Sequence, residues 1–359
     1  MEGSGSGCGS RVCVTGGSGY VASLLVKKLL QKGHTVHATL RNLNDQSKVR
    51  LLNTLPNAAH RLVLFQADIY QPEGFRPPIQ GCDFVFHVAT PLHHTQGSQY
   101  KNRTDASVGA ARMIAKFCVE SGTVRRLIYT ASVVSASPMK DDGTGFKDFM
   151  DETCWTPLNL SYPFSNPTFE GYVDSKSATE RELLEFGARQ VQEGGGGLEV
   201  VTLACGLIVG DTLHCCAAET TIITFSQFIH QDDAQPFYHA LRFLEELDGK
   251  VPLVHIHDVC DAHIFCMEQS SLHGRFLCAS SFLSSSDIAT YYRLHHPQLQ
   301  QKYGNSDDVP IRNIKWNSRK LIEKGFVYKY DGEMILEDAL ECCKNKAISI
   351  SAKVGPVSS

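Results

Sequence analysis

The chain contains no Cys-x-x-Cys pair, although its 359 residues include thirteen cysteines. That number is odd, and Cys13, Cys82, Cys205 and Cys260 lie in or beside apolar strand-like runs, where a thiol behaves as a small hydrophobe. The cysteines are therefore read as reduced. No apolar run reaches the roughly 18 residues that a membrane span needs. The amino terminus lacks a charged-then-apolar leader, so a cytoplasmic protein with no membrane partner is expected. No basic run or aromatic-interleaved patch occurs, and the net charge of -4 argues against a nucleic-acid partner. What is present is 42% hydrophobic residues, enough for a large core in one large or two intimately joined domains.

The first informative stretch is Val12-Cys13-Val14-Thr15-Gly16-Gly17-Ser18-Gly19-Tyr20-Val21-Ala22. Residues 11–15 form a short apolar, β-branched run that reads as a buried parallel strand. Residues 18–30 carry Val21, Leu24, Leu25 and Leu29 at helical spacing. Strand, glycine turn and helix in this order make a dinucleotide phosphate cradle. Gly16 takes positive φ in the turn, Gly19 lets a pyrophosphate reach the backbone, Ala22 lets the helix pack on the strand, and the helix start offers N–H groups to the anion. The next strand, 35–40, lacks at its end the carboxylate that would bond a ribose 2′-hydroxyl. Leu40 stands there, followed by Arg41 and, seven residues on, Lys48. A planar guanidinium suits a 2′-phosphate, so NADP(H) is expected rather than NAD(H).

Further strand-like segments fall at 61–65, 83–88, 127–131 and 198–204, separated by helical segments such as 104–120 and 172–192. Repeated β-α units predict an α/β fold, a Rossmann-type doubly wound parallel sheet with a smaller C-terminal substrate lobe. Residues 1–10 are expected as a Gly/Ser-rich tail and 11–205 as the dinucleotide-binding domain. Residues 206–346 should be mainly the substrate lobe, with segments returning to the first domain, and 347–359 a tail. The tetraglycine at 194–197 reads as a flexible loop. The segment 135–170, rich in Asp, Gly, Pro and Ser, has the length of a lid or binding loop.

Tyr172-Val173-Asp174-Ser175-Lys176 carries the candidate chemistry. Four residues apart on a helix, Tyr172 and Lys176 share a face. A phenol is a weak acid at neutral pH, and a nearby ammonium favours phenolate and lowers its pKa. The lysine can also hold the cofactor ribose. Ser132, at the end of the preceding strand, falls at the carboxyl edge of the sheet, where its hydroxyl can orient a substrate oxygen. These residues predict an oxidoreductase acting on a small molecule.

With these residues on the page, the chain resembles an extended short-chain dehydrogenase/reductase, within it the plant dihydroflavonol reductase and anthocyanidin reductase group. The similarity includes Phe65-Gln66-Ala67-Asp68-Ile69, the block from Gly81 to Pro91, the block from Val254 to His263, and Lys329-Tyr330. It implies a triad of Ser132, Tyr172 and Lys176. It places Gly16, Gly19, Tyr20, Val21, Arg41 and Lys48 around the phosphates, Asp68 and Ile69 at the adenine, and Val88, Ala89 and Thr90 along the cofactor cleft. Cys205 and Leu207 fall near the nicotinamide, and His93 and Ser137 at the substrate. The activity implied is NADPH-dependent reduction of a planar phenolic, first an anthocyanidin to a flavan-3-ol. Carbonyl reduction of a dihydroflavonol or another ketone is the alternative, in a monomer or homodimer. Two departures stand out: Cys205 replaces a proline usual in the group, and Ser137 replaces the Asn of dihydroflavonol reductases. The segment Glu170 to Asp174 also lacks the tryptophan- and cysteine-bearing block of cinnamoyl-CoA reductases, which argues against a coenzyme A thioester.

Other features have plainer readings. His255, His257, Asp258 and His263 have spacings that suggest a metal, but Asp258 reads as a helix amino-terminal cap and no metal is expected. Phe225, Phe228, Phe237, Tyr238 and Phe243 could stack on a planar substrate, although core packing is the commoner use. A dinucleotide-binding sensor without chemistry is the alternative from another class. Its mark would be loss of the tyrosine or the lysine, and both are present.

Overall fold

The computed structural model describes residues 9–158, 160–192, 197–229, 234–304 and 312–346. Its strands are β1 (Arg11–Val14), β2 (Thr35–Leu40), β3 (Leu62–Gln66), β4 (Phe84–His87), β5 (Arg126–Ser132), β6 (Phe149–Met150), β7 (Glu199–Cys205), β8 (Leu207–Val209), β9 (Val251–His255), β10 (Gly274–Cys278), β11 (Ser281–Leu283) and β12 (Lys315–Trp316). Seven of them form one sheet in the order β10-β7-β5-β4-β1-β2-β3, every pair parallel. The expected doubly wound sheet is therefore present. Strand order reverses between β1 and β4, and the crevice beyond their carboxyl ends is where such a sheet binds ligands.

Alternation along the strands explains the layering. Val12, Val14, Phe84, Phe86, Ile128, Val201 and Leu203 point to one face, where the helices Tyr20–Gln31 and Ile256–Glu268 cover them. Their neighbours Cys13, Val85, Leu127, Tyr129, Val200 and Ala204 point to the other face, beneath the helices Arg103–Ser121 and Pro167–Gln192. Strands buried on both faces read as continuous apolar runs, which is why they were visible in the sequence.

The smaller unit is a three-stranded sheet, β11-β9-β8, with its own core. The helices Glu219–Phe225, Gln235–Asp248, Ser285–His295 and Gly332–Asn345 surround it. Between β9 and β11 the chain returns to the large sheet, contributing the helix Ile256–Glu268 and the edge strand β10.

Three details differ from the sequence reading. The helix that carries Tyr172 and Lys176 begins at Pro167 instead of 172, because Asn166 Oδ1 accepts the N–H groups of Thr168 and Phe169 (2.9 Å each) and proline suits the first turn. Part of 135–170 is also built into the core: Thr156 Oγ1 accepts the Ser137 N–H (3.0 Å), and β6 pairs with β12. Finally, His255, not Asp258, caps the helix Ile256–Glu268, its Nδ1 accepting the His257 N–H (3.3 Å). Asp258 instead accepts the N–H groups of Lys329 and Tyr330, closing the carboxy-terminal segment onto this helix.

Of the expected tail, residues 9 and 10 adjoin the sheet, the Ser10 carbonyl accepting the Thr35 N–H (3.0 Å). Residues 1–8, most of the tetraglycine and 347–359 lie outside the described residues. Among the described residues no disulfide joins any of the cysteines, and no helix is long and apolar enough to cross a membrane.

Candidate active site

The turn after β1 is shaped by two glycines. Gly16 sits at φ +67, and a Cβ there would lie 3.1 Å from that of Ala89. At Gly17 a Cβ would come within 2.8 Å of the Ala38 Cβ, so this position, which sequence reasoning passed over, must also stay bare. Thr39 pins the turn to β2, its Oγ1 taking the Gly16 N–H (3.0 Å) and its carbonyl the Gly17 N–H (2.8 Å). The helix Tyr20–Gln31 then opens at Gly19 with no capping side chain, leaving its first N–H groups for an anion. This bare, amide-lined cradle fits a dinucleotide pyrophosphate.

Thr15 joins the two strands of the switch point. Its Oγ1 accepts the N–H groups of Val88 and Ala89, both at 3.0 Å, so its own proton goes to His87 Nδ1 at 3.0 Å. His87 is thereby fixed as the neutral Nε2–H tautomer. Burial, aided by the Lys176 charge, pushes its pKa down to about 3.

Ser132 ends β5, and Tyr172 and Lys176 stand one turn apart on the helix Pro167–Gln192. The structure brings the three together. The Ser132 hydroxyl, which accepts the Val134 N–H (3.4 Å), lowers the Tyr172 phenol pKa against the larger rise that burial causes. The Lys176 ammonium donates to Thr90 Oγ1 (2.9 Å) and the Thr130 carbonyl (2.8 Å), 5.9 Å from the centre of the Tyr172 ring. Burial lowers its pKa to about 8.

The cation whose charge pulls the Tyr172 pKa down is Arg103, which the sequence reading missed. Arg103 is buried at the first position of its helix and donates to the carbonyls of Leu92 and Thr168, the latter at 2.9 Å. Thr168 lies one turn before Tyr172, so the guanidinium clamps the turn that carries the tyrosine to the loop after β4. Gly171 makes room for it, since a Cβ there would lie 2.8 Å from Nη2. The sequence holds no signal for this contact beyond the glycine itself.

The remaining expected residues are placed as follows. Arg41 is exposed just beyond β2, facing no carboxylate among the described residues. The Lys48 ammonium is 3.1 Å from Asp45, the residue that caps the following helix. Asp68 accepts the Tyr70 N–H (3.0 Å) and Ile69 is buried, both just past β3. Cys205 lies in register with Ser132 on one side and Cys278 on the other, and Leu207 opens β8. His93 is exposed, its carbonyl accepting the Tyr70 hydroxyl (3.0 Å). Ser137 departs from expectation. It is fully buried, its hydroxyl donating to the Leu247 carbonyl and accepting the Met139 N–H (3.1 Å), so in this conformation it has no hydroxyl to offer a substrate.

Phe225 and Phe228 pack around Tyr292 in the core of the smaller unit. Phe243 instead stacks on Phe169, ring centres 5.0 Å apart, in a cluster with Val134, Tyr162, Val173 and Leu247 against which Tyr172 packs. The histidines diverge: His255 Nε2 meets Asp338 at 2.8 Å, while His263 bonds Thr130 Oγ1 (2.8 Å) and the Val259 carbonyl (2.7 Å). Among the described residues no three His, Cys, Asp or Glu side chains are gathered for a metal.

An amide cradle at the switch point, with a half-buried tyrosine and a buried lysine beyond the neighbouring strand, defines a nicotinamide-dependent oxidoreductase of the short-chain dehydrogenase/reductase class. The chain belongs to the NAD dependent epimerase/dehydratase family, whose pattern matches residues 12–278. It is 32% identical over 341 residues to anthocyanidin reductase ((2S)-flavan-3-ol-forming) of Vitis vinifera, covering 94% of this chain and 96% of that protein. With dihydroflavonol 4-reductase of Arabidopsis thaliana it shares 31% identity over 336 residues, 93% of this chain and 82% of that one. The crystal structure of vestitone reductase from alfalfa superposes with a TM-score of 0.72 at 31% identity, covering 93% and 98% of the two chains.

Proposed function

We propose that this protein is an NADPH-dependent reductase of a planar, flavonoid-type phenolic, with conversion of an anthocyanidin to a flavan-3-ol as the favoured reaction. The observation that carries the reading is the convergence of Ser132, Tyr172 and Lys176 at the carboxyl edge of the sheet. It occurs in a chain similar along almost its whole length to anthocyanidin reductase. When bound, the reduced nicotinamide supplies a hydride to an electrophilic carbon of the substrate. Ser132 orients the substrate oxygen and Tyr172 delivers the proton to it. Lys176, already aligned by Thr90 and Thr130, holds the ribose hydroxyls. The stacked Phe243 and Phe169 pack behind Tyr172 in an apolar cluster that backs the tyrosine ring. Carbonyl reduction of a dihydroflavonol-type ketone is the second reading, supported by the likeness to dihydroflavonol 4-reductase and vestitone reductase.

Anaerobic incubation with NADPH and cyanidin, following cofactor absorbance and chromatographing the products, tests the first reading. Flavan-3-ol formation is expected. No turnover with NADPH binding intact would transfer the assignment to dihydroflavonol-type ketones.

Cofactor choice rests on Arg41. Arg41→Ala is expected to weaken NADPH binding by about 10- to 100-fold, the worth of a charge-assisted contact, with NADH binding almost unchanged. Equal loss for both cofactors in a fluorescence titration would contradict a role at the 2′-phosphate.

Arg103 gives a pH-dependent expectation. With the cation removed in Arg103→Met, the Tyr172 pKa rises, the acid form persists to higher pH, and the alkaline limb of the kcat profile moves upward. Arg103→Lys should return the limb most of the way. A limb that stays in place in Arg103→Met would show that the clamp acts on packing alone.

A further inference from the structure

Two thiols stand outside the chemistry just described. Cys215 and Cys216 are adjacent in the segment after β8, with Sγ atoms 3.6 Å apart. Cys215 is exposed and Cys216 half-buried, whereas the other described cysteines are buried, and burial raises the pKa of thiols such as Cys82, Cys118, Cys260 and Cys266. An oxidant that reacts with thiolate therefore meets this pair first.

The pair is mechanically tied to the cradle. The Gly210 carbonyl, where the segment starts, accepts the hydroxyls of Tyr20 (3.0 Å) and Thr221 (3.2 Å). Tyr20 is the first residue of the anion-facing helix, which opens at Gly19. The dithiol thus lies in the segment that Gly210 ties to the start of the phosphate cradle's helix.

We propose that Cys215 and Cys216 form an oxidative modification site whose closure to a vicinal disulfide weakens dinucleotide binding; this rests on the cofactor reading given above. The oxidant is of the peroxide class. One thiolate attacks a peroxide oxygen and becomes a sulfenic acid as hydroxide departs. The second thiol then displaces the sulfenic hydroxyl as water, and the S–S bond forms. In sum, two thiols and one hydrogen peroxide give one disulfide and two waters, with two electrons passing from sulfur to peroxide. The Sγ atoms must close from 3.6 Å to about 2.05 Å, in a ring that includes the 215–216 peptide. That closure turns the backbone of the segment and draws the Gly210 carbonyl from the Tyr20 hydroxyl.

The test oxidises the full chain with hydrogen peroxide in the absence of cofactor, maps the 215–216 peptide by mass spectrometry, and titrates NADPH by fluorescence. The oxidised protein should carry a peptide short of two hydrogens and bind NADPH at least about 10-fold more weakly. Dithiothreitol should restore affinity. The double variant Cys215→Ser, Cys216→Ser should bind NADPH like the reduced protein and not respond to peroxide. Disulfide formation with unchanged affinity, or an equal loss in the double variant, would overturn the proposal. Failure of the reduced protein to bind NADPH at all would overturn the cofactor reading and this inference with it.

Discussion

Tyr172→Phe should lower turnover by about 10²- to 10⁴-fold, the range for removal of a positioned proton donor. NADPH affinity and thermal stability should change little. The substitution keeps the ring, which packs against the Val134–Tyr162–Phe243 cluster, and deletes only the phenol oxygen. A neutral hydrogen bond contributes about 1 kcal/mol to stability, so folding is hardly touched. The cradle and the Lys176 contacts to Thr90 and Thr130 do not involve that oxygen. Loss of turnover with cofactor binding intact would identify Tyr172 as the proton donor. Full turnover in the variant would remove it from that role.

What could be read from the sequence, and what could not, follows from distance along the chain. The strand–glycine–helix of the cradle and the Tyr-x-x-x-Lys pair are local patterns, set by helical and strand periodicity within a few residues. Strands buried on both faces announce themselves as apolar runs, so the central sheet was legible as well. The helix Ile256–Glu268 and β10 return to that sheet, and no local pattern says which segments return. The contacts that tune the site are long-range. Thr15 meets His87 across 72 residues and Arg103 meets Thr168 across 65, and neither pair leaves a periodic trace. Ser137 failed for a related reason. Its position after Ser132 suggested a substrate contact, whereas the carbonyl of Leu247, 110 residues later, takes its hydroxyl.

Arg275→Met should destabilise the protein by about 3–5 kcal/mol, the cost of leaving a buried charge without its partner. The partner is Glu180, fully buried one turn beyond Lys176 on the helix Pro167–Gln192. Its carboxylate accepts from Arg275 Nε and Nη2 (3.1 Å each), Thr202 Oγ1 (2.7 Å) and the Ser135 hydroxyl. Arg275 comes from the edge strand β10. It also donates to the carbonyls of Ser135 (3.0 Å) and Glu152 (3.2 Å), with its guanidinium 3.8 Å from the Trp155 ring centre. One buried ion pair therefore gathers the helix Pro167–Gln192, β7, β10 and the segment after Ser132. Urea unfolding should show a lower midpoint for Arg275→Met. The pair Arg275→Met, Glu180→Leu should be more stable than Arg275→Met alone, because an unpaired carboxylate costs more than two apolar groups in its place. If Arg275→Met unfolded at the wild-type midpoint, the pair would not anchor the helix. If the double variant regained stability but not turnover, the pair would be shown to set the register of Tyr172 and Lys176 against β5 in addition to holding the fold.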